Sequence, residues 1–347
     1  LLGIKHPIML AGMAGPARSE LVAAVSEAGG FGTMGCLTYA HNLDALRSEL
    51  RAIKRLTKKP FGVDFALSDN FISKEQTDAC IELIIEEGAS CFVSALRSPE
   101  AYQIKRMHKA GLLVASMCGK VRHAKKAVAA GCDFVIAQGH GAGGHTGQID
   151  GMSLIPQMVS ELEVPVVAAG GIFDGRGLVA SLAFGAMGVW VGTRFLASKE
   201  AFCAPAYKNR ILDVEEGDET IVTRAQTSKP CRMIKNSFTD QYHQKAEELK
   251  GFVPESLDEI KEHYQRSQRF TKTNFKGYKP DRQAMLAGQC SGSIDTILSS
   301  QEIMDQMVSE ARTILKKMPN FTQSFSNKLN KKVTIAKKKT LNRSKAR

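Results

Sequence analysis

Val166-Val167-Ala168-Ala169-Gly170-Gly171-Ile172 and, shortly after it, Gly185-Ala186-Met187-Gly188-Val189-Trp190-Val191-Gly192-Thr193-Arg194-Phe195 are two apolar runs that each lead into glycine. Such runs suit β-strands covered on both faces, as in a parallel sheet. Gly170-Gly171 places bare backbone N–H groups at one strand end. Gly192-Thr193 does the same at the next, adding a hydroxyl. Two such ends side by side read as a phosphate cradle, and barrels of alternating strands and helices commonly hold phosphate after strands 7 and 8.

Working outward, the same rhythm repeats. Candidate strands lie at 6–13, 31–36, 61–67, 91–96, 112–118, 134–139, 164–170 and 188–195. Helical stretches at 19–28, 43–55, 73–87, 99–110, 121–130, 154–161 and 175–184 separate them, and several run into glycine, where a helix stop wants a left-handed residue. Eight strands alternating with helices define an α/β fold, either a closed (β/α)8 TIM barrel or an open doubly wound sheet. Glycine-rich or polar motifs follow strands 1, 6, 7 and 8. That favours the barrel, whose site gathers at all the strand C-terminal ends, over an open sheet with one switch point. The rhythm breaks at 198–285, a more charged segment with Lys229-Pro230 and Tyr278-Lys279-Pro280, which reads as a helical insertion or lid after strand 8. An amphipathic stretch at 302–317 has Ile303, Met307, Ala311, Ile314 and Leu315 on one face and reads as the last barrel helix. The expected organisation is a TIM barrel from 1–197 and 286–321, the insertion at 198–285, and a basic disordered tail at 322–347.

Composition narrows the class. With 347 residues and 43% hydrophobic content the chain can bury a large core. No run approaches the roughly 20 apolar residues that span a bilayer, and the opening Leu1-Leu2-Gly3-Ile4-Lys5-His6-Pro7 does not read as a signal peptide. Eight cysteines include no Cys-x-x-Cys pair, which argues against structural zinc and a dense disulfide scaffold. A reducing, cytoplasmic setting is the expectation. The net charge of +12 is concentrated at the end: residues 322–347 carry nine Lys or Arg and no Asp or Glu, leaving +3 elsewhere. The basic balance therefore reports a solvated tail, able to contact anionic partners, and no nucleic-acid-binding face is expected on the barrel.

Gln138-Gly139-His140-Gly141-Ala142-Gly143-Gly144-His145-Thr146-Gly147 packs five glycines into ten residues after strand 6. Such a loop lets backbone approach a planar ligand closely. A histidine within it is poised for proton transfer near neutral pH. His145 is the candidate base; His140 reads as orienting or incidental. No third ligand stands at zinc spacing, so no metal site is expected. Gly139, Gly141 and Gly144 also spell Gly-x-Gly-x-x-Gly, but a dinucleotide fingerprint opens a helix at once, and His145-Thr146-Gly147 is poor helix sequence. Strand 1 ends in Leu10-Ala11-Gly12-Met13-Ala14-Gly15, small residues that suit either a core or a shelf under an aromatic ring. Asp64 interrupts the apolar third strand and is a site candidate or a turn cap.

The run from Gly170 to Phe195, the stretch Ala142-Gly143-Gly144-His145-Thr146-Gly147 and the opening Ala11-Gly12-Met13 together resemble the nitronate monooxygenase family, formerly 2-nitropropane dioxygenases, with FMN-dependent enoyl-acyl-carrier-protein reductases as relatives. Ala287-Gly288-Gln289-Cys290 resembles the family's C-terminal segment, and the likeness runs to the basic tail. The resemblance implies a TIM barrel binding FMN, with cofactor contacts at Ala11, Gly12, Met13, Asp64, Gln138, Gly139, Gly143, Gly144, Gly170, Gly171, Gly192 and Thr193, and His145 as catalytic base. Lys120 falls near a flavin-contacting lysine. Asp64 stands where many members carry Asn, and Gly141 where Glu or Gln is common. The implied reaction is oxidation of alkyl nitronates or nitroalkanes by O2 to carbonyl compounds and nitrite. The alternatives are NAD(P)H-dependent reduction of enoyl thioesters and flavin binding without catalysis.

Overall fold

The computed structural model describes residues 1–67, 72–251, 253–267, 270–271 and 273–318. The expected basic tail lies outside the described residues.

Eight parallel strands form the centre: β1 (Ile8–Leu10), β2 (Gly32–Gly35), β3 (Phe61–Ala66), β4 (Cys91–Ala95), β5 (Leu113–Cys118), β6 (Phe134–Gln138), β7 (Val166–Ala169) and β8 (Gly188–Val191). Neighbours in sequence are neighbours in space, and β8 returns to β1 through Ile8–Val189, Met9–Trp190 and Leu10–Val191. Between β1 and β2, Leu10 N–H donates to the Phe31 carbonyl at 2.9 Å and Phe31 N–H to the Ile8 carbonyl at 3.0 Å. That contact closes the ring, so the expected barrel is the fold.

Alternation along each strand sorts two cores. Met9, Phe31, Cys91, Val93, Phe134, Ile136, Val167, Ala169 and Trp190 fill the barrel interior. Their neighbours, such as Phe92, Val135, Ala168 and Val189, face outward under the helices. Strands buried on both faces leave little polar signal along their length, which is why they read as continuous apolar runs.

Helix ends follow local chemistry. Ser73 caps Lys74–Glu86, and Gln76 completes the reciprocal capping box. Gly131 ends Val121–Ala130 at φ +112°, a left-handed conformation that glycine tolerates best. The last helix, 300–318, buries Ile303, Met304, Met307 and Ala311, whereas Leu315 is exposed.

Two expectations change. Strand 8 was expected over 188–195, but it stops at Val191 and Thr193–Leu196 forms a helical turn. Phe195 and Leu196 are buried in either conformation, so hydrophobicity alone could not separate them. The segment 198–285 is not purely helical. Beside helices Pro205–Leu212, Ser237–Leu249 and Pro254–Ser267 it holds β9 (Thr220–Thr223) and β10 (Cys231–Ile234), paired antiparallel. β10 also pairs with the two-residue strand Gly144–His145, opposing Cys231 to His145 and Arg232 to Gly144. The glycine-rich loop after β6 is thus stitched to the insertion.

Candidate functional site

A cavity of about 1060 Å³ opens at the C-terminal ends of the strands. The ends of all eight strands or the loops that follow them contribute to it, β3 through Asp64 and Ala66, as a TIM-barrel site should. Ala11, Gly12, Met13, Asp64, Gln138, Gly143, Gly144, His145, Gly170, Gly171, Gly192 and Thr193 all line it, as does Lys120. Gly139 does not. Its amide donates to the Ala169 carbonyl at 2.9 Å, and a Cβ there would stand 2.6 Å from the Gly151 nitrogen, so the position is held for packing.

Gly170 and Gly171 have φ of +97° and +76°. A Cβ on Gly170 would lie 2.7 Å from the Gly139 carbonyl oxygen, whereas one on Gly171 would meet nothing within 4 Å. Gly171 therefore fronts open space. Among the described residues, the amides of Gly171, Gly192 and Thr193 have no hydrogen-bond acceptor. Free amides facing a hollow form an anion cradle. The Thr193 hydroxyl oxygen accepts from Gly288 N–H at 3.0 Å, which leaves its own O–H to donate. Gly288 follows Ala287, whose backbone leaves room for no side chain on Gly143. The segment 287–290 thus clamps the His145 loop from behind.

Asp64 forms part of the floor. A Cβ on Gly12 would come within 2.1 Å of the Asp64 Cβ, so glycine at 12 is what lets the carboxyl sit there. The side chain is 6% exposed, and among the described residues Oδ1 has no hydrogen-bond partner. Burial pushes its pKa well above the usual carboxylate range. Burial thus favours the protonated acid, the form that can donate as well as accept.

The two histidines of the loop separate cleanly. His140 Nδ1 lies 2.7 Å from the Gly147 carbonyl, and Nε2 lies 2.9 Å from Arg232 Nη2. A carbonyl only accepts and a guanidinium only donates, so Nδ1 carries the proton and Nε2 accepts. Both nitrogens are committed, and His140 is an orienting residue. His145 has Nε2 2.7 Å from Thr227 Oγ1, and Nδ1 has no described partner. Burial first, then the nearby Lys229 ammonium, pull its pKa down to about 4. It is neutral at physiological pH.

Arg232 is the hinge pin of this arrangement. Only 3% exposed, it donates to the His140 carbonyl, to His140 Nε2 and, at 2.8 Å, to Thr220 Oγ1. Arg232→Met should lower unfolding stability by about 2–3 kcal/mol, because the buried acceptors lose a charged donor. Urea denaturation reads this directly; an unchanged midpoint would show that the insertion is tied down elsewhere.

Thr227 and Lys229 escaped the sequence reading because nothing local marks a turn in the insertion as facing a loop some eighty residues earlier. Leu96, just after β4, also escaped it. It lines the cavity at φ +68°, a left-handed conformation that a branched side chain rarely takes. Among the described residues no three His, Cys, Asp or Glu side chains are grouped as a metal would need, and no helix is long and apolar enough to cross a membrane.

Comparison with known proteins places this geometry. The chain is 37% identical over 293 residues to a probable nitronate monooxygenase of Staphylococcus saprophyticus, a match covering 73% of this chain and 82% of that one. Among solved structures, FabK from Thermotoga maritima superposes with a TM-score of 0.81 at 31% identity, covering 92% of this chain and 97% of that one. Nitroalkane oxidase from Streptomyces ansochromogenes superposes at 0.78 with 26% identity, covering 90% and 98%. The sequence profile of nitronate monooxygenases matches residues 1–310, all eight barrel strands together with the strands that hold His145, and the chain belongs to that family of oxidoreductases.

Proposed function

We propose that the protein binds FMN and oxidises alkyl nitronates, with two nitronates and one O2 giving two carbonyl compounds and two nitrite ions. The observation that carries this reading is a neutral imidazole and an anion cradle lining one cavity at the barrel mouth. The residues fit a flavin mononucleotide. The hollow before Gly171 and the free amides of Gly192 and Thr193 suit its phosphate. The shelf Ala11-Gly12-Met13, the Gln138 amide and the orphaned Asp64 Oδ1 suit its ring. When bound, flavin supplies the electron transfer between substrate and O2.

The remaining chemistry belongs to the chain. A nitroalkane entering neutral would give its carbon-bound proton to His145, whose lone pair is free at neutral pH. A conjugate acid with pKa about 4 is weak for this task. Lys229 compensates, because the ammonium that depresses the imidazole also stabilises the nitronate anion as it forms. A substrate supplied already as nitronate needs no base. The similarity to a named nitroalkane oxidase supports this class of substrate.

The test is a spectrum followed by two titrations. Purified protein should show a flavin absorbance and release FMN, not FAD, on denaturation. Added anaerobically, nitronate should bleach it; NADPH should not. Bleaching by NADPH but not by nitronate would replace this reading with an enoyl-thioester reductase. A colourless protein that ignores added FMN would remove both.

A further inference from the structure

Five aromatic side chains contributed by segment 198–285 form a chain of ring contacts along one wall of the cavity. Phe202 and Phe275 have ring centroids 5.5 Å apart, Phe275 and Phe270 5.3 Å, and Phe270 and Tyr278 6.2 Å. Tyr278 stacks on Tyr207 at 6.4 Å with the planes 16° apart. All five line the same cavity as Gly171 and His145. None is fully buried, although each packs against another ring.

Their positions are held by neighbours that line the same cavity. Phe202 N–H donates to the Pro16 carbonyl at 3.0 Å, and the Arg18 guanidinium carbon lies 3.4 Å from the centre of its ring. Tyr207 spends its hydroxyl on the Leu286 carbonyl at 3.0 Å. With the polar tip tied back, the ring face is what remains for a ligand. A continuous half-open apolar surface of this kind marks a binding site. The cavity volume of about 1060 Å³ stands at the upper end of the roughly 300–1,000 Å³ typical of ligand pockets. A mononucleotide seated against the glycine cradle leaves the ring wall to a second molecule.

We propose that the physiological substrate carries an aryl or similarly extended apolar substituent, which packs on the wall formed by Phe202, Tyr207, Phe270, Phe275 and Tyr278 while its reacting carbon faces His145. This rests on the oxidase reading for the reaction and on the ring wall alone for the substituent. Short nitronates would react but would leave the rings wetted. Each methylene buried against the wall is worth roughly fourfold in binding, so a phenyl group should exceed tenfold.

Two measurements on the flavin-loaded protein test it. In oxygen uptake, the nitronate of (2-nitroethyl)benzene should show kcat/KM at least tenfold above that of nitroethane, and the double variant Phe275→Ala/Tyr278→Ala should reduce the ratio to under about threefold. Binding without turnover is read from Trp190, the chain's single tryptophan, which also lines the cavity. Its fluorescence should report 2-phenylethanol at least tenfold tighter than ethanol. If neither nitronate is oxidised while that preference holds, the oxidase reading falls and the wall stands. Equal kcat/KM for both nitronates with equal affinities for both alcohols overturns the wall itself.

Discussion

His145→Ala is expected to keep its flavin and to lose about 10²–10⁴-fold in kcat/KM on neutral nitroalkanes, the usual contribution of a positioned base. The flavin should stay because the anion cradle is built from Gly171, Gly192 and Thr193, on other strands. With pre-formed nitronate the loss should be much smaller, since the proton has already left. An equal loss on both substrates would make His145 a residue that binds or orients substrate. Unchanged rates on both would move the base role to another group, and not to His140, which has both ring nitrogens engaged.

The pH profile of the wild-type protein carries the same claim independently. A base must be unprotonated to act. An ordinary imidazole loses activity as pH falls through about 6.5. His145, held down to about 4 by burial and by Lys229, should stay active well below that and decline only near pH 4. Lys229→Met should shift the decline toward neutrality, because it removes the charge that opposes protonation. An inflection that stays near 6.5 in both proteins would mean another group is being titrated.

How much of this was legible in the sequence depends on the range of the interaction. β6 was expected at 134–139 and forms at Phe134–Gln138, because a strand buried on both faces has to be apolar throughout. The Ser73 helix start was legible for the same local reason. Strand ends were not, since Gly192 turns the chain into a helix with side chains that a strand would also bury. Gly139 was placed among the cofactor contacts by the family resemblance; it does not line the cavity, and its bare Cα admits the close approach of Gly151. The partners of His145 were out of reach altogether. Thr220–Thr223 and Cys231–Ile234 are short and mix polar with apolar residues, so neither their strand character nor the register that sets Cys231 against His145 leaves a pattern. Such long-range pairing is decided by tertiary packing.

Gly171→Val should cost about 10²-fold in FMN affinity while leaving the barrel folded. The position separates ligand from structure unusually well. Gly170 and Gly171 both sit at positive φ, but their surroundings differ. At Gly170 any side chain drives into the Gly139 carbonyl at 2.7 Å, so a substitution there attacks the packing of the β6 and β7 loops. At Gly171 an added Cβ meets nothing within 4 Å. The apoprotein then bears only the strain of a left-handed branched residue, about 1–2 kcal/mol. The ligand loses more: a charged hydrogen bond from backbone to phosphate is worth about 1.5–3 kcal/mol, and the valine methyls occupy the hollow that the phosphate would fill. Equilibrium dialysis with FMN, paired with thermal melts of both apoproteins, distinguishes these effects. Gly170→Val should melt far below wild type, whereas Gly171→Val should melt a few degrees below it and still come off the column colourless. If Gly171→Val retains FMN at wild-type affinity, the phosphate lies elsewhere at the barrel mouth, and the free amides of Gly192 and Thr193 do not bind it together with Gly171.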